Sequence, residues 1–319
     1  MAKEMKSLSV VIPCYNEEEV IVETCQTIKK FLDGLEIISD YEIILVNNGS
    51  TDNTFEEMNR VYVDDEHIVI VDLRNNFGFQ GSITAGLFNA YFDMVVSIDA
   101  DLQDDYHKIE EMILKHYDGY DLVLGVRKSR NSDSFLKRIT AQAYYKFLNR
   151  LGVNSVYNHA DFRLMSRSLL EDFKNYPEKN RYIRGIITSL ESRYACVYYD
   201  RVKRTKGESK FNVSSLLSLA IDGITSFSAI PIRFISLFGV FMFFVSLLGI
   251  GYIFYEKFIN NIDVPGWTFI VVSIMLFGGL NSLFIGIIGE YIGKTYIETK
   301  ERPVFTIRKR YDRRKDNEE

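Results

Sequence analysis

Residues 94–105 read Met94-Val95-Val96-Ser97-Ile98-Asp99-Ala100-Asp101-Leu102-Gln103-Asp104-Asp105, an apolar run that ends abruptly in carboxylates. The run is short, partly β-branched and closed by charge, which predicts a buried strand over 94–98. Strand side chains alternate faces, so Asp99 and Asp101 are expected to project the same way at its carboxyl end. In an open α/β sheet that end is where ligands bind. Two converging carboxylates there suit a hard cation, Mg2+ or Mn2+, shared with a substrate's phosphates. An isolated Asp-x-Asp is equally compatible with aspartates that only cap the following helix or loop. The neighbouring chain changes that balance.

Upstream and downstream the pattern alternates. Strands are expected at 8–13, 41–46, 67–72, 94–98 and 121–126, with helices near 20–32, up to 61, 82–91 and 107–117. Val20, Cys25, Ile28, Phe31 and Leu32 roughly keep helical spacing, and Gly49 with Ser50 or Thr51 forms a turn and N-cap for the second helix. The alternation predicts an α/β fold, a mostly parallel, doubly wound sheet with helices on both faces. The first crossover lacks Gly-x-Gly-x-x-Gly, which argues against a dinucleotide cofactor. A basic connector at 127–138, a helix near 135–151, a short strand around Asp161, helices near 168–175 and 182–190 and a strand at 194–199 complete this part.

The 319 residues carry a net charge of −5, which gives no sign of a nucleic-acid partner. Cys14, Cys25 and Cys196 lack metal-ligand spacing, so no disulfide framework is implied and a reducing cytosolic setting is the default. Residues 1–7 lead into a strand rather than a long apolar core, so no cleavable signal peptide is expected. The apolar content is concentrated late, in the uncharged runs 234–255 and 267–288. At ~1.5 Å per residue each spans roughly 33 Å, enough for a bilayer core of ~30 Å. Arg233, Lys294, Lys300, Arg302 and Arg308 to Arg310 flank the outer ends of the pair, so both chain ends are expected in the cytoplasm. The expected organisation is a catalytic domain at 1–211, an interfacial amphipathic region at 212–231, two transmembrane helices within 232–292, and a basic tail at 293–319 that meets lipid headgroups or another subunit.

With these pieces in place the sequence resembles the family 2 glycosyltransferases of GT-A fold, and within them the polyprenyl-phosphate glycosyltransferases that carry two membrane spans. Ser9-Val-Val-Ile-Pro-Cys-Tyr-Asn-Glu-Glu looks like the opening strand and nucleotide loop, and Glu42-Ile-Ile-Leu-Val-Asn-Asn-Gly-Ser-Thr-Asp-Asn-Thr like the second. Leu73-Arg-Asn-Asn-Phe-Gly-Phe-Gln with Thr84-Ala-Gly-Leu resembles the third, Asp99-Ala-Asp-Leu-Gln-Asp the metal motif, Asp161-Phe-Arg-Leu-Met the acceptor-side motif, and Gly289-Glu-Tyr-Ile-Gly-Lys the exit of the last span. Each motif alone is weak, but six in the family's order followed by a membrane hairpin are a strong signal. Two positions depart from the pattern: Asn48 stands where the family usually has Asp, and Asp105 where relatives often have Pro.

The resemblance implies transfer of a sugar from a nucleotide diphosphate to a polyprenyl phosphate at the cytoplasmic membrane face, by a multi-pass, inverting class of enzyme that assembles as a homo-oligomer. UDP-glucose and UDP-N-acetylglucosamine are the favoured donors. Asp99 and Asp101 would hold Mg2+ or Mn2+, and Pro13, Tyr15, Glu17 and Asn48, with Asp99, the base and ribose. Asp161 occupies the position the family treats as catalytic base, yet a phosphate monoester with a second pKa near ~6 needs little help losing a proton. Asp161 therefore has a second reading, as an anchor for the acceptor or for a neighbouring Arg. Arg127, Arg130, Arg204, Lys206 and Lys210 are candidates for the acceptor phosphate; Lys206 and Lys210 fit a lipid-facing basic surface equally well.

Two other classes compete. A processive polysaccharide synthase shares the sheet and metal motif but carries Gln-x-x-Arg-Trp in its soluble part, whereas the single tryptophan here, Trp267, lies at a membrane edge. A membrane scaffold with a degenerate nucleotide site draws support from Asn47-Asn48.

Overall fold

The computed structural model describes residues 5–128, 156, 158–179, 181–201, 230–259 and 266–316. The first half alternates as expected: β1 (Lys6–Cys14), α1 (Ile21–Asp33), β2 (Ile38–Asn47), α2 (Thr54–Asp64), β3 (Ile68–Leu73), α3 (Gly78–Asn89), β4 (Met94–Ser97), α4 (Lys108–Tyr117) and β5 (Leu122–Arg127). After it come β6 (His159–Ser166), α5 (Arg167–Lys174), α6 (Ile183–Leu190) and β7 (Tyr194–Tyr199). The chain then forms two long helices, α7 (Ile230–Phe258) and α8 (Trp267–Thr299), and returns as β8 (Ile307–Tyr311) and a single turn, α9 (Arg313–Asp316). The helix expected near 135–151 and the interfacial region up to 229 lie outside the described residues.

The eight strands form one sheet in the order β7-β5-β6-β4-β1-β2-β3-β8. Pairings β1/β2, β1/β4, β2/β3 and β5/β7 are parallel, whereas β6 runs antiparallel to both β4 and β5, and β8 antiparallel to β3. The sheet is thus mixed, parallel at its centre. Alternation along each strand divides the core in two. Val10, Ile12, Ile43 and Leu45 pack under α1, α2 and α4, whereas Val11, Ile44 and Val46 pack under α3, α5 and α6. Helices on both faces explain why β3 is apolar at nearly every position and buried throughout.

α1 buries Ile21, Thr24, Cys25, Ile28 and Leu32, a one-face stripe. α3 has no such stripe, because residues 81–87 are all buried. A Cβ on Gly86 would lie 2.2 Å from Val11 Cγ1 and 2.9 Å from Val46 Cγ2, so only glycine lets this helix lie so close to β1 and β2. The N-cap differs from expectation. α2 begins at Thr54, and Asp52 Oδ1 accepts from Thr54 N at 3.0 Å, while Ser50 and Thr51 bond across to Asn16 instead.

The late helices expose apolar side chains along their length, among them Leu237 at 70%, Leu248 at 76% and Met275 at 73%. Contiguous exposure of this kind marks a surface made for lipid or protein rather than water. By length and composition, one segment of the described residues, Ser273–Thr299, is long and apolar enough to cross a membrane, and Ile232–Met242 is a shorter apolar stretch. Phe238 and Phe284 meet edge to face at 5.5 Å where α7 and α8 pack. Beyond α8, part of the tail expected to meet lipid is instead built into the sheet: β8 pairs with β3 in the register Ile70↔Tyr311, Val71↔Arg310 and Asp72↔Lys309.

Candidate active site

The carboxyl ends of β1, β2 and β4 lie side by side at the centre of the sheet, and the order reverses between β1 and β4, where α/β sheets open a crevice. Three loops leave these ends. The loop after β1 turns at Asn16, at φ 54°, and is stitched to the loop after β2. Asn16 N donates to Ser50 Oγ at 3.2 Å, Thr51 N to Asn16 Oδ1 at 2.8 Å, and Glu17 N to Thr54 Oγ1 at 2.8 Å. Tyr15 and Glu17 lie in this loop, half-buried; Pro13 is a buried residue of β1 itself, opposite Val46.

Asn48 is a strut between loops. It is 3% exposed, its Nδ2 donates to Asn76 Oδ1 at 3.1 Å and Gly78 O at 3.2 Å, and its Oδ1 accepts from Phe77 N at 2.9 Å. Each polar atom of the amide is thus taken up by protein. Gly49, at φ 65°, lets the turn press on residues 75–76; a Cβ there would sit 2.6 Å from Asn75 C.

β4 ends at Ser97, so Asp99 and Asp101 stand on a turn rather than on the strand. Ile98 N still bonds Val11 O at 3.0 Å, and Thr24 Oγ1 holds Ala100 O at 2.6 Å, which fixes the turn against β1 and α1. Burial, then the charges of Asp104, Asp161 and Asp101, push the Asp99 carboxyl up to about 7, with Arg127 opposing. The four acids therefore share one electrostatic neighbourhood, and two of them are already neutralised. Asp104 is 2% exposed and accepts from Arg127 Nη2 at 3.1 Å, and Arg127 Nε in turn meets Tyr199 Oη at 3.4 Å.

The other neutralised acid is Asp161. β6 runs antiparallel to β4 with Ser97 opposite Arg163, and Ser97 Oγ donates to Asp161 O at 2.5 Å, which brings Asp161 beside the acidic turn. Arg163 Nη2 bonds its Oδ1, Arg184 Nη2 lies 2.6 Å from Oδ2, and Arg184 Nε lies 3.2 Å from each oxygen. Burial alone would raise this carboxyl, but Arg184 and Arg163 hold it far below the ordinary carboxylate range. Burial and the same two arginines push the neighbouring His159 imidazole well down, so it stays neutral.

The site thus gathers Asp99, Asp101, Asp161 and Arg127 from the residues expected. Arg130, Arg204, Lys206 and Lys210 lie outside the described residues. Asp104 and Arg184 are additions. Asp104 was visible as the last acid of the Asp99 motif, and Arg184 only as a charge in the first turn of an apolar helix.

Asp99 and Asp101 supply hard oxygen donors, and the burial that resists ionisation of Asp99 is relieved by a cation. Among the described residues, no three His, Cys, Asp or Glu side chains gather into a metal-holding group. A cation here would need further oxygens from a bound diphosphate, which is how Mg2+ and Mn2+ are commonly held.

Residues 9–174 match the family model for glycosyl transferase family 2. The uncharacterized glycosyltransferase YkoT of Bacillus subtilis (strain 168) is 42% identical over 96% of this chain and 93% of its own length. The prophage bactoprenol glucosyl transferase homolog of Escherichia coli (strain K12) is 38% identical over 95% of this chain and 98% of its own, and the bactoprenol glucosyl transferase of Shigella phage SfII is 38% identical over 95% and 97%. Among solved structures, glucosyl-3-phosphoglycerate synthase from Mycobacterium tuberculosis in complex with uridine-diphosphate is 19% identical, covering 70% of this chain and 79% of that one with a TM-score of 0.49. The acidic turn, the arginine-clamped Asp161 and relatives matched along nearly their whole length agree: the chain is a glycosyltransferase and belongs to glycosyl transferase family 2.

Proposed function

We propose that this enzyme transfers glucose from UDP-glucose to a polyprenyl phosphate at the cytoplasmic face of the membrane. The observation that carries the reading is the meeting, at one end of the sheet, of the Asp99–Asp101 turn with an Asp161 that is clamped by Arg184. Relatives named bactoprenol glucosyl transferases at 38% identity support the sugar and the lipid. Asp99 and Asp101 would hold Mg2+ or Mn2+ together with the donor's diphosphate oxygens. A divalent cation there supplies charge neutralisation for the leaving diphosphate.

In the reaction an acceptor phosphate oxygen bonds to the anomeric carbon as the bond from that carbon to the diphosphate breaks, and UDP leaves with the electron pair. The acceptor phosphate is already mostly ionised near neutral pH. Asp161, held ionised by two guanidinium groups, has little affinity for a proton; its role is to aim Arg184. Arg184 and Arg127 keep 29% and 24% of their side chains exposed, against 1% for Arg163, so of these three they are the guanidinium groups able to meet phosphate oxygens. Single displacement would invert the anomeric centre and give a β-linked lipid.

The sheet supports a reading of the membrane topology. β1 to β7 precede α7 and β8 follows α8, yet all are strands of one sheet and must lie on one side of a bilayer. The number of crossings between them is therefore even, and if Ser273–Thr299 crosses, α7 is the other long apolar helix among the described residues that could make a second crossing. This supports the two-span hairpin with both ends on the catalytic side.

The test is transfer of radiolabelled glucose from UDP-glucose to undecaprenyl phosphate by the purified full-length protein, with Mg2+ or Mn2+ and with chelator. Label in the lipid, lost with chelator, is the expected result. No transfer from UDP-glucose or UDP-N-acetylglucosamine under any of these conditions would overturn the reading in favour of a non-catalytic scaffold.

A further inference from the structure

The loop after β2 is set from behind by a buried acid. Asn47, the last residue of β2, is 3% exposed and has both ends of its amide engaged. Its Oδ1 accepts from Ser50 N at 3.1 Å, which closes the loop, and its Nδ2 donates to Asp72 Oδ1 at 2.7 Å. Asp72 is opposite Asn47 in the β2/β3 register and only 2% exposed. A carboxylate buried that deeply is costly unless charge and hydrogen bonds compensate it. The compensating charge comes from the far end of the chain: Arg308, on β8, places Nη1 3.2 Å from Asp72 Oδ2 and Nη2 3.3 Å from Arg74 O.

The same tail supports the second loop that Asn48 touches. Arg74 N donates to Thr306 O at 2.9 Å, and Phe305 packs edge to face on Phe88 of α3 at 6.0 Å. The segment that follows the membrane helix α8 is thus a backing for the two loops, 47–50 and 74–78, that Asn48 joins.

We propose that Asp72 and Arg308 are positioning residues of the nucleotide half of the site, through which the carboxyl-terminal strand sets the loop after β2. The inference rests on the reading of that loop as the donor loop. Arg308 touches no reacting atom; it fixes Asp72, Asp72 fixes the Asn47 amide, and that amide fixes the turn at Gly49 and Ser50. Removing Arg308 charge should therefore weaken donor binding and leave the chemical step alone. Arg310 is the control on the same strand, since it pairs with Asp312 at 2.7 Å rather than with a donor-loop partner.

The experiment is calorimetric binding of UDP with Mn2+ to the full-length protein in detergent, with steady-state rates over a UDP-glucose series, for wild type, Arg308→Gln, Arg308→Lys, Arg310→Gln and Asp72→Ala. Because the Arg308 side chain is 56% exposed, Arg308→Gln should weaken UDP binding and raise the donor KM about fivefold, as for a partly screened pair, with kcat within about twofold. Arg308→Lys should recover most of the loss, and Arg310→Gln should match wild type. Asp72→Ala, which leaves Asn47 Nδ2 without its acceptor, should lose about tenfold or more. If Asp72→Ala fails to fold, the Arg308 pair of variants decides. Wild-type UDP affinity with no change in Arg308→Gln, or equal losses in Arg308→Gln and Arg310→Gln, overturns this inference alone. No UDP binding by the wild type overturns the donor assignment and this inference with it.

Discussion

Arg184 grips Asp161 with two nitrogens, Nη2 at 2.6 Å from Oδ2 and Nε at 3.2 Å from both oxygens, while Arg163 holds the same carboxylate from the buried side. A carboxylate so engaged is an anchor before it is a base, and the two roles make different predictions. Asp161→Asn removes the charge that compensates Arg163, whose side chain is 1% exposed, and breaking a buried pair in this way costs about 3–5 kcal/mol. The variant is expected to melt at lower temperature and turn over more slowly, yet to keep more activity per folded molecule than Asp101→Asn. Arg184→Lys, which keeps the charge but loses the two-point grip, should retain the fold and lose about tenfold in kcat/KM for the lipid acceptor. Equal losses in Asp161→Asn and Asp101→Asn, with melting unchanged, would establish Asp161 as the base.

The acidic turn carries its own test. Asp104 and Asp161 are neutralised by arginines, and the proposed cation rests on Asp99 and Asp101. Asp101→Asn should cost about 10²–10³ in kcat, the range for loss of a group that stabilises developing charge. Mn2+ binding in the presence of UDP, followed by electron paramagnetic resonance, should weaken in Asp99→Asn and Asp101→Asn alike. Unchanged Mn2+ spectra in both variants would place the cation elsewhere.

What the sequence revealed and concealed has a physical pattern. The strands and helices from residue 6 to 127 were legible because each is a continuous apolar run or a one-face stripe closed by turn residues. The Asp99 motif was legible as an apolar run cut short by acids, although its acids sit on a turn, since β4 stops at Ser97. Arg184 was hidden because its meaning depends on a contact with Asp161, 23 residues away. β8 was hidden because Ile307-Arg-Lys-Arg-Tyr looks like a charged tail. An edge strand needs few buried side chains, and its basic residues find acids such as Asp72 only after the chain has returned from α8.

Asn48 departs from the family pattern, and its contacts give the departure a structural role. The resemblance expects Asp there, but Asn48 Nδ2 donates to Asn76 Oδ1 and Gly78 O. Asn48→Asp would set a carboxylate oxygen against those two acceptors, at a cost of about 1–3 kcal/mol. The variant is therefore expected to melt at lower temperature without any gain in UDP affinity. Tighter UDP binding in Asn48→Asp would show that the loop reorganises to offer this side chain to the base.

The stability that His116 contributes should also fall with pH. His116 is 6% exposed, with Nδ1 2.9 Å from Tyr120 O and Nε2 2.9 Å from Lys6 Nζ. The tautomer with hydrogen on Nδ1 satisfies both partners, donating to the carbonyl and accepting from the ammonium, and a second proton would leave two cations facing each other. Burial first, and Lys6 as well, therefore hold the folded-state pKa below the ordinary 6.5. A group depressed in the folded state adds stability that is complete above its unfolded pKa and is lost as pH falls below it. His159, pushed down by burial and its arginines, acts with the same sign, whereas Asp65 and Asp93, also lowered, contribute only in the more acid carboxylate range. Asp99, pushed up to about 7, works the other way in the same window, so the readout is the gap in thermal melting in detergent between wild type and His116→Gln, which should be constant above pH 7 and shrink between pH 6.5 and 5. A gap that widens through this interval as pH is lowered would show that His116 is protonated in the folded protein.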